Sequence, residues 1–169
     1  MQHYRLPTRL LDWSESCLVA AYFSVSNKKL ESIPGVLWAL HPSGLNENQI
    51  GKKVIVGSNH ESILKHFEAT IHGNLEKEEK EETTIAFNPE QNDIRMMVQS
   101  SKFTIHLDAT PIEMLDKADS FLRPYEIPPE SKERILAELD ALKINRATLF
   151  PDLENLAKDI ITRNYGNEE

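Results

Sequence analysis

Residues Gln2 to Ser26 read QHYRLPTRLLDWSESCLVAAYFSVS, and the proline, the serines and the apolar run in it decide how the chain starts to fold. Pro7 cannot continue a helix and biases its neighbours toward extended backbone. Arg9 to Leu11 therefore reads as a short extended piece. Ser14 or Ser16 can then accept a hydrogen bond from a helix's first free N–H groups, with Glu15 near the positive end of the helix. SCLVAAYFSVS is apolar on nearly every side, which predicts a largely buried helix. It stops at Asn27 and two lysines, and Pro34-Gly35 then marks a turn. VLWAL (36–40) is a continuous apolar run bounded by turn residues and reads as a buried strand.

Further along, HPSGLNENQIG reads as a loop, KVIV as a short strand, and ESILKHFEATI as a helix with Ile63, Leu64, Phe67 and Ile71 on one face. EKEEKEE (76–82) reads as a solvated loop or helix end. TIAF is strand-like. RMMVQ, SSK and FTIH together read as a hairpin, in which Arg95 and Gln99 share one face with Met97 between them. PIEMLDKADSFL reads as a helix or an irregular return, interrupted at Pro124. PPESKERILAELDAL has prolines at its start and apolar residues at Ile135, Leu136, Leu139 and Leu142, which marks a helix. Asn145 falls past its end, and DLENLAKDIITRN reads as a final helix. The pattern predicts an α+β fold: a small mixed or antiparallel sheet with packed helices and a helical C-terminal third, forming one domain over residues 1–169.

Composition narrows the function. A chain of 169 residues that is 40% hydrophobic and 27% charged has enough apolar material for a core. Its formal charge of −8 argues against bulk nucleic-acid binding, which needs clustered Lys and Arg. The single cysteine, Cys17, permits no internal disulfide and reads as a buried thiol. No apolar run reaches the length of a membrane span. The chain reads as a soluble, cytoplasmic, bacterial protein, with no membrane role and no metal site.

The chemistry concentrates in QHYRLPTRLLDW. His3 can exchange a proton near neutral pH. Arg9 offers a fork for phosphate or carboxylate. Asp12 can orient Arg9 or His3, and Tyr4 and Trp13 offer stacking faces. The plainer reading is an Arg9–Asp12 pair that locks a tight turn, with Asp12 at least half buried and Trp13 in the core. No P-loop, GxSxG, HExxH or CxxC is present. His41, His60, His66, His72 and His106 are scattered, and His106, in a strand pattern, reads as packed.

These residues resemble the FRG domain family, whose hallmark runs QH-x-G-x-PTRLLDW and continues into A-x-x-FA. Later segments are also similar: Arg95, Gln99 and Phe103; Tyr125 to Pro129 before a helix; and TLFPDLENLA from Thr148. Arg5 stands where the family has glycine. The Phe-Arg-Gly segment that names the family precedes QH, and here only Met1 does. The resemblance therefore implies an N-terminally shortened domain, completed by self-association or by a partner chain. It also implies a bacterial or phage-related setting, sometimes in defence, and supplies no reaction.

A more distant similarity is to ADP-ribosyltransferases, in the order strand, helix with A-x-x-F, strand, and a later RMMVQSSKFTIH segment. It would imply NAD as ligand. Yet no glutamate stands in RMMVQ to meet a developing positive charge, and Arg95 or Gln99 takes its place.

The resulting expectation is a polar cleft for a nucleotide-like or phosphorylated ligand. His3, Arg9, Asp12 and Gln99 are its candidate catalytic residues, and Thr8, Arg9 and Arg95 its candidate ligand-binding residues. The alternatives are a diverged ADP-ribosyltransferase-like enzyme or toxin, and a non-catalytic interaction module.

Overall fold

The computed structural model describes residues 8–64, 84–90, 93–107 and 110–151. In chain order the elements are β1 (Leu10–Ser14), α1 (Cys17–Val25), β2 (Gly35–Leu40), α2 (Pro42–Ile50), β3 (Val56–Gly57), β4 (Thr84–Asn88), α3 (Ile94–Val98), β5 (Ser101–His106), β6 (Leu122–Ile127), α4 (Lys132–Ala141) and α5 (Arg146–Leu149). The fold is α+β. Strands β1-β5-β4-β3 form one sheet in that order, and β2 and β6 form a second. The first sheet is mixed: β3 runs parallel to β4, and β4 antiparallel to β5. Arg9 O accepts from His106 N, and Ser100 O accepts from Glu15 N, so residue numbers rise along β1 as they fall along β5. These two strands are also antiparallel.

The chain divides into two compact units. The first comprises Met1–Trp13, Trp38–Glu90 and Lys102–Pro124. Its sheet has two different faces, because side chains alternate along a strand. Ile85 and Phe87 of β4 stand opposite Ile105 and Phe103 of β5. They pack with Val56 and Ile63 into an apolar layer, where the rings of Phe87 and Phe103 stack 6.0 Å apart. On the other face Thr84 stands opposite His106, and Ala86 opposite Thr104. Thr84 and Thr104 are fully buried there. That face also meets a second cluster built on Leu45, Ile112, Phe121 and Leu122, with Trp13 against it.

The edge of β4 is completed by a side chain rather than a strand. β3 pairs only with Phe87 and Asn88. One residue earlier, no strand among the described residues meets the outward N–H and C=O of Ala86. Asn46 of α2, 0% exposed, supplies both partners. Its Oδ1 accepts from Ala86 N at 2.8 Å, and its Nδ2 donates to Ala86 O at 2.8 Å and to Val54 O at 2.7 Å. Gln49, one turn on, accepts from Thr84 N. One face of α2 thus does what a longer β3 would do.

The second unit comprises Ser14–Leu37, Gln91–Ser101 and Tyr125–Glu169. Ser16 caps α1, accepting from Val19 N. α1 packs against α4, and α3 against α5. Lys132, a buried residue, donates to Leu30 O at 2.8 Å. Asn145 closes a reciprocal capping box with Thr148 at the start of α5.

Several expectations are corrected. HPSGLNENQIG is the helix α2 and not a loop: Pro42 starts it, and Gly51, at φ +67°, ends it in a left-handed conformation suited to glycine. RMMVQ is the helix α3 and not a strand, because the Asp93 carboxylate caps it by accepting from Arg95 N. The expected hairpin is therefore a helix, a turn with Ser100 at φ +49°, and a strand. Pro124 lies inside β6, tolerated because a strand in a two-stranded sheet has a free edge. Of the two readings of PIEMLDKADSFL, the irregular return holds, with two short 3-10 turns. α1 forms as expected but is not largely buried. Val19 and Val25 are inside, while Leu18 and Phe23 are 41% and 46% exposed. Cys17, expected to be buried, is exposed at the helix start. KVIV contributes only Val56 to β3. The acidic run 76–82, most of the helix expected from Glu61, and the final helix lie outside the described residues.

Candidate functional site

A cavity of about 780 Å³ opens in the first unit. Its walls come from residues around the start of β1, from Trp38 of β2, from the end of β5, from residues 110–113, and from Leu122 of β6. Trp13 and Trp38 bring two indoles to the lining, and Thr8, Arg9, His106, Thr110 and Glu113 bring the polar groups. Arg9 is solvent-exposed. The antiparallel pairing explains why Arg9 and His106 meet: Arg9 O accepts from His106 N at 2.9 Å. That backbone bond sets the root of the arginine beside the root of the histidine.

His106 is held from behind. Thr104, two residues earlier on β5, shares its face, and Thr84 stands opposite it on β4. Thr104 Oγ1 lies 2.9 Å from His106 Nε2, and Thr84 Oγ1 lies 3.3 Å from Nδ1. Trp13 of β1 joins the chain by donating its indole N–H to Thr104 Oγ1 at 3.1 Å. One row of hydrogen bonds thus crosses three strands, from Trp13 through Thr104 and His106 to Thr84. Two of its members, Trp13 and His106, are cavity walls. Chemically the arrangement offers flat faces for a planar ring, a guanidinium for an anion, and an imidazole held in a defined orientation.

The structure distributes the expected residues unevenly. Thr8 and Arg9 line the cavity. Asp12 lies on β1, exposed, and is not among the residues lining this cavity. The tight turn expected to join Arg9 to Asp12 is extended chain instead, with β1 running through Asp12. Extended backbone sends side chains three residues apart to opposite sides. Among the described residues no Arg9–Asp12 ion pair is formed. Trp13 is partly buried against the apolar cluster and also faces the cavity, so it combines both readings of the sequence.

Arg95 and Gln99 belong to the second unit. They do share a face, through the four-residue spacing of a helix rather than that of a strand. The Arg95 guanidinium sits 4.3 Å from the ring centre of Phe150. Gln99 Nε2 donates to Leu149 O at 2.9 Å, and Gln99 O accepts from Ser14 Oγ. His3 lies outside the described residues. Sequence reasoning passed over Trp38, Thr110, Glu113 and the role of His106. FTIH held a legible signal: Thr104 and His106 alternate with Phe103 and Ile105, so the strand has one apolar and one hydrogen-bonding face.

These features define an α+β protein with a ligand-sized cavity built against its first strand. The family model of the FRG domain matches residues 1–32. The matched segment includes Thr8, Arg9, Asp12 and Trp13, and ends before Trp38, Arg95, Gln99 and His106. No curated protein and no solved structure matches the chain. Among the described residues no helix is long and apolar enough to cross a membrane, and no group of three His, Cys, Asp or Glu side chains is disposed to hold a metal ion.

Proposed function

We propose that this chain is an FRG-domain protein that binds a nucleotide-like or phosphorylated small molecule in the cavity beside β1. The observation that carries the reading is the cavity lining: Thr8 and Arg9, from the FRG-matched segment, share one cavity with Trp13, Trp38 and His106. Arg9 takes the anion through its planar fork. Thr8 adds a hydroxyl, and the indoles take a base or other planar ring. His106 supplies a fixed polar edge. The volume falls within the usual range for small-molecule sites, about 300–1,000 Å³.

The test is calorimetric titration with adenosine monophosphate, NAD and inorganic phosphate. At least one should bind, and Arg9→Ala should weaken that binding by about ten-fold or more, the scale of a lost charge-assisted contact. Lys28→Ala, on an exposed turn outside the cavity, should leave it unchanged. Absence of binding by all three probes at millimolar concentration, or equal loss from both substitutions, refutes the reading. Nicotinamide release from NAD would instead support the transferase alternative.

A further inference from the structure

We propose that Thr104 is a positioning residue for this site: its buried hydroxyl holds the rings of His106 and Trp13 in orientation, and through them shapes the cavity. Thr104 does not line the cavity. It is 0% exposed, in the middle of β5, where an aliphatic residue would ordinarily sit. A buried hydroxyl there is costly unless hydrogen-bonded, and its partners are two cavity walls.

The direction of the bonds comes from donor and acceptor rules. An indole N–H can only donate, so Thr104 Oγ1 is the acceptor toward Trp13. Thr104 retains a single proton, and His106 Nε2 at 2.9 Å is the partner that can take it. Nε2 is then the unprotonated ring nitrogen, and Nδ1 carries the proton toward Thr84 Oγ1. This assignment satisfies Thr104 as acceptor and as donor, and leaves the buried Thr84 hydroxyl proton without a ring partner. The reverse tautomer would have Nε2–H and the indole both donating to Thr104, leaving its own proton without either of them as partner. Each neutral tautomer thus leaves one threonine proton without a ring partner, and in both the Thr104 hydroxyl is bonded to both rings. The hydroxyl therefore couples the two rings: neither can turn without breaking a bond to Thr104.

The affinity arm of the test rests on the proposed ligand binding; the spectroscopic arm does not. Two-bond proton–nitrogen NMR of the unmodified chain gives the His106 nitrogen pattern, its signals assigned by their loss in His106→Gln. Solvent exchange of the Trp13 indole N–H as fast as that of a free indole, where Thr104 should protect it, overturns the proposal whether or not any variant folds. Thr104→Val keeps the side-chain shape and removes the hydroxyl. It should shift the His106 nitrogen pattern and weaken adenosine monophosphate binding by about five- to ten-fold, the scale of a lost hydrogen bond. Thr104→Ser should restore both. A merely structural threonine would lower the melting temperature in Thr104→Val without moving the His106 nitrogen pattern, and that result overturns the proposal. If no probe binds but the nitrogen pattern responds to Thr104→Val and is restored by Thr104→Ser, the ligand reading fails and the positioning role stands.

Discussion

Removing the amide of Asn46 should cost more stability than its surface-like composition suggests. The side chain makes three hydrogen bonds, two of them to the N–H and C=O of Ala86. Asn46→Ala leaves both Ala86 groups unmet at a residue only 3% exposed, with α2 packed over them. Each stranded buried group costs about 1–3 kcal/mol. The Val54 carbonyl belongs to a residue that is 50% exposed, so water can replace its lost partner. The sum is about 4 kcal/mol, a large share of the roughly 5–15 kcal/mol that holds an ordinary domain together. Thr84, two residues away on the same edge, would lose the alignment of its bond to Gln49. The damage should therefore reach the Thr84–His106 contact and the cavity. Urea unfolding followed by circular dichroism gives the value. Asn46→Asp separates a hydrogen-bond effect from a packing effect, since it keeps the shape but turns a donor toward two carbonyls into an acceptor. A carboxyl there should stay protonated when folded, with its pKa raised above the unfolded value. Its stabilising contribution is then present at acid pH and lost as pH rises. A loss under about 1 kcal/mol for Asn46→Ala would show that water or backbone movement satisfies Ala86, and the edge-completing role would be wrong.

Two further outcomes concern the second unit. A methyl group added by Gly35→Ala would lie 2.5 Å from the Ser24 carbonyl oxygen, backbone that cannot swing aside. The substitution should cost about 1–3 kcal/mol in a thermal melt, and an unchanged melting temperature would count against the placement of β2. Tyr22 has its hydroxyl pKa raised by burial, which outweighs the opposing Arg146 charge and the Ser26 hydrogen bond. The folded state then holds this proton more tightly than the unfolded chain, so its contribution is intact below the ordinary tyrosine pKa of 10.0 and fades as pH rises through the folded value. Unfolding measured between neutral and strongly alkaline pH should show that decline, and Tyr22→Phe should remove it.

Local chemistry made much of the chain legible. Pro7 and the run after it predicted β1. Ser14 or Ser16 predicted the start of α1, and the structure takes Ser16; the prolines and apolar spacing of 128–142 predicted α4. Each signal acts within a few residues, where a cap or a fixed φ decides the backbone. Arg9 and Thr8 could also be singled out, because an arginine fork and a hydroxyl keep their chemistry wherever the chain puts them.

Other features depended on contacts between distant residues. α2 is polar and weakly amphipathic, and much of what anchors it is Asn46 bonding to Ala86, forty positions away. RMMVQ suits a strand by composition, but the Asp93 cap turns it into a helix. The apolar α1 exposes Leu18 and Phe23, because hydrophobicity says that a residue can be buried and only packing says which residues are. His106 reads as packed from its strand pattern. Its neighbours in the sequence could not reveal that β1 and β4 would bring Trp13 and Thr84 to the same face of β5. A strand's alternation fixes which residues share a face, but its partners are chosen by the whole sheet, and that pairing placed a threonine-held histidine beside the arginine at the cavity wall.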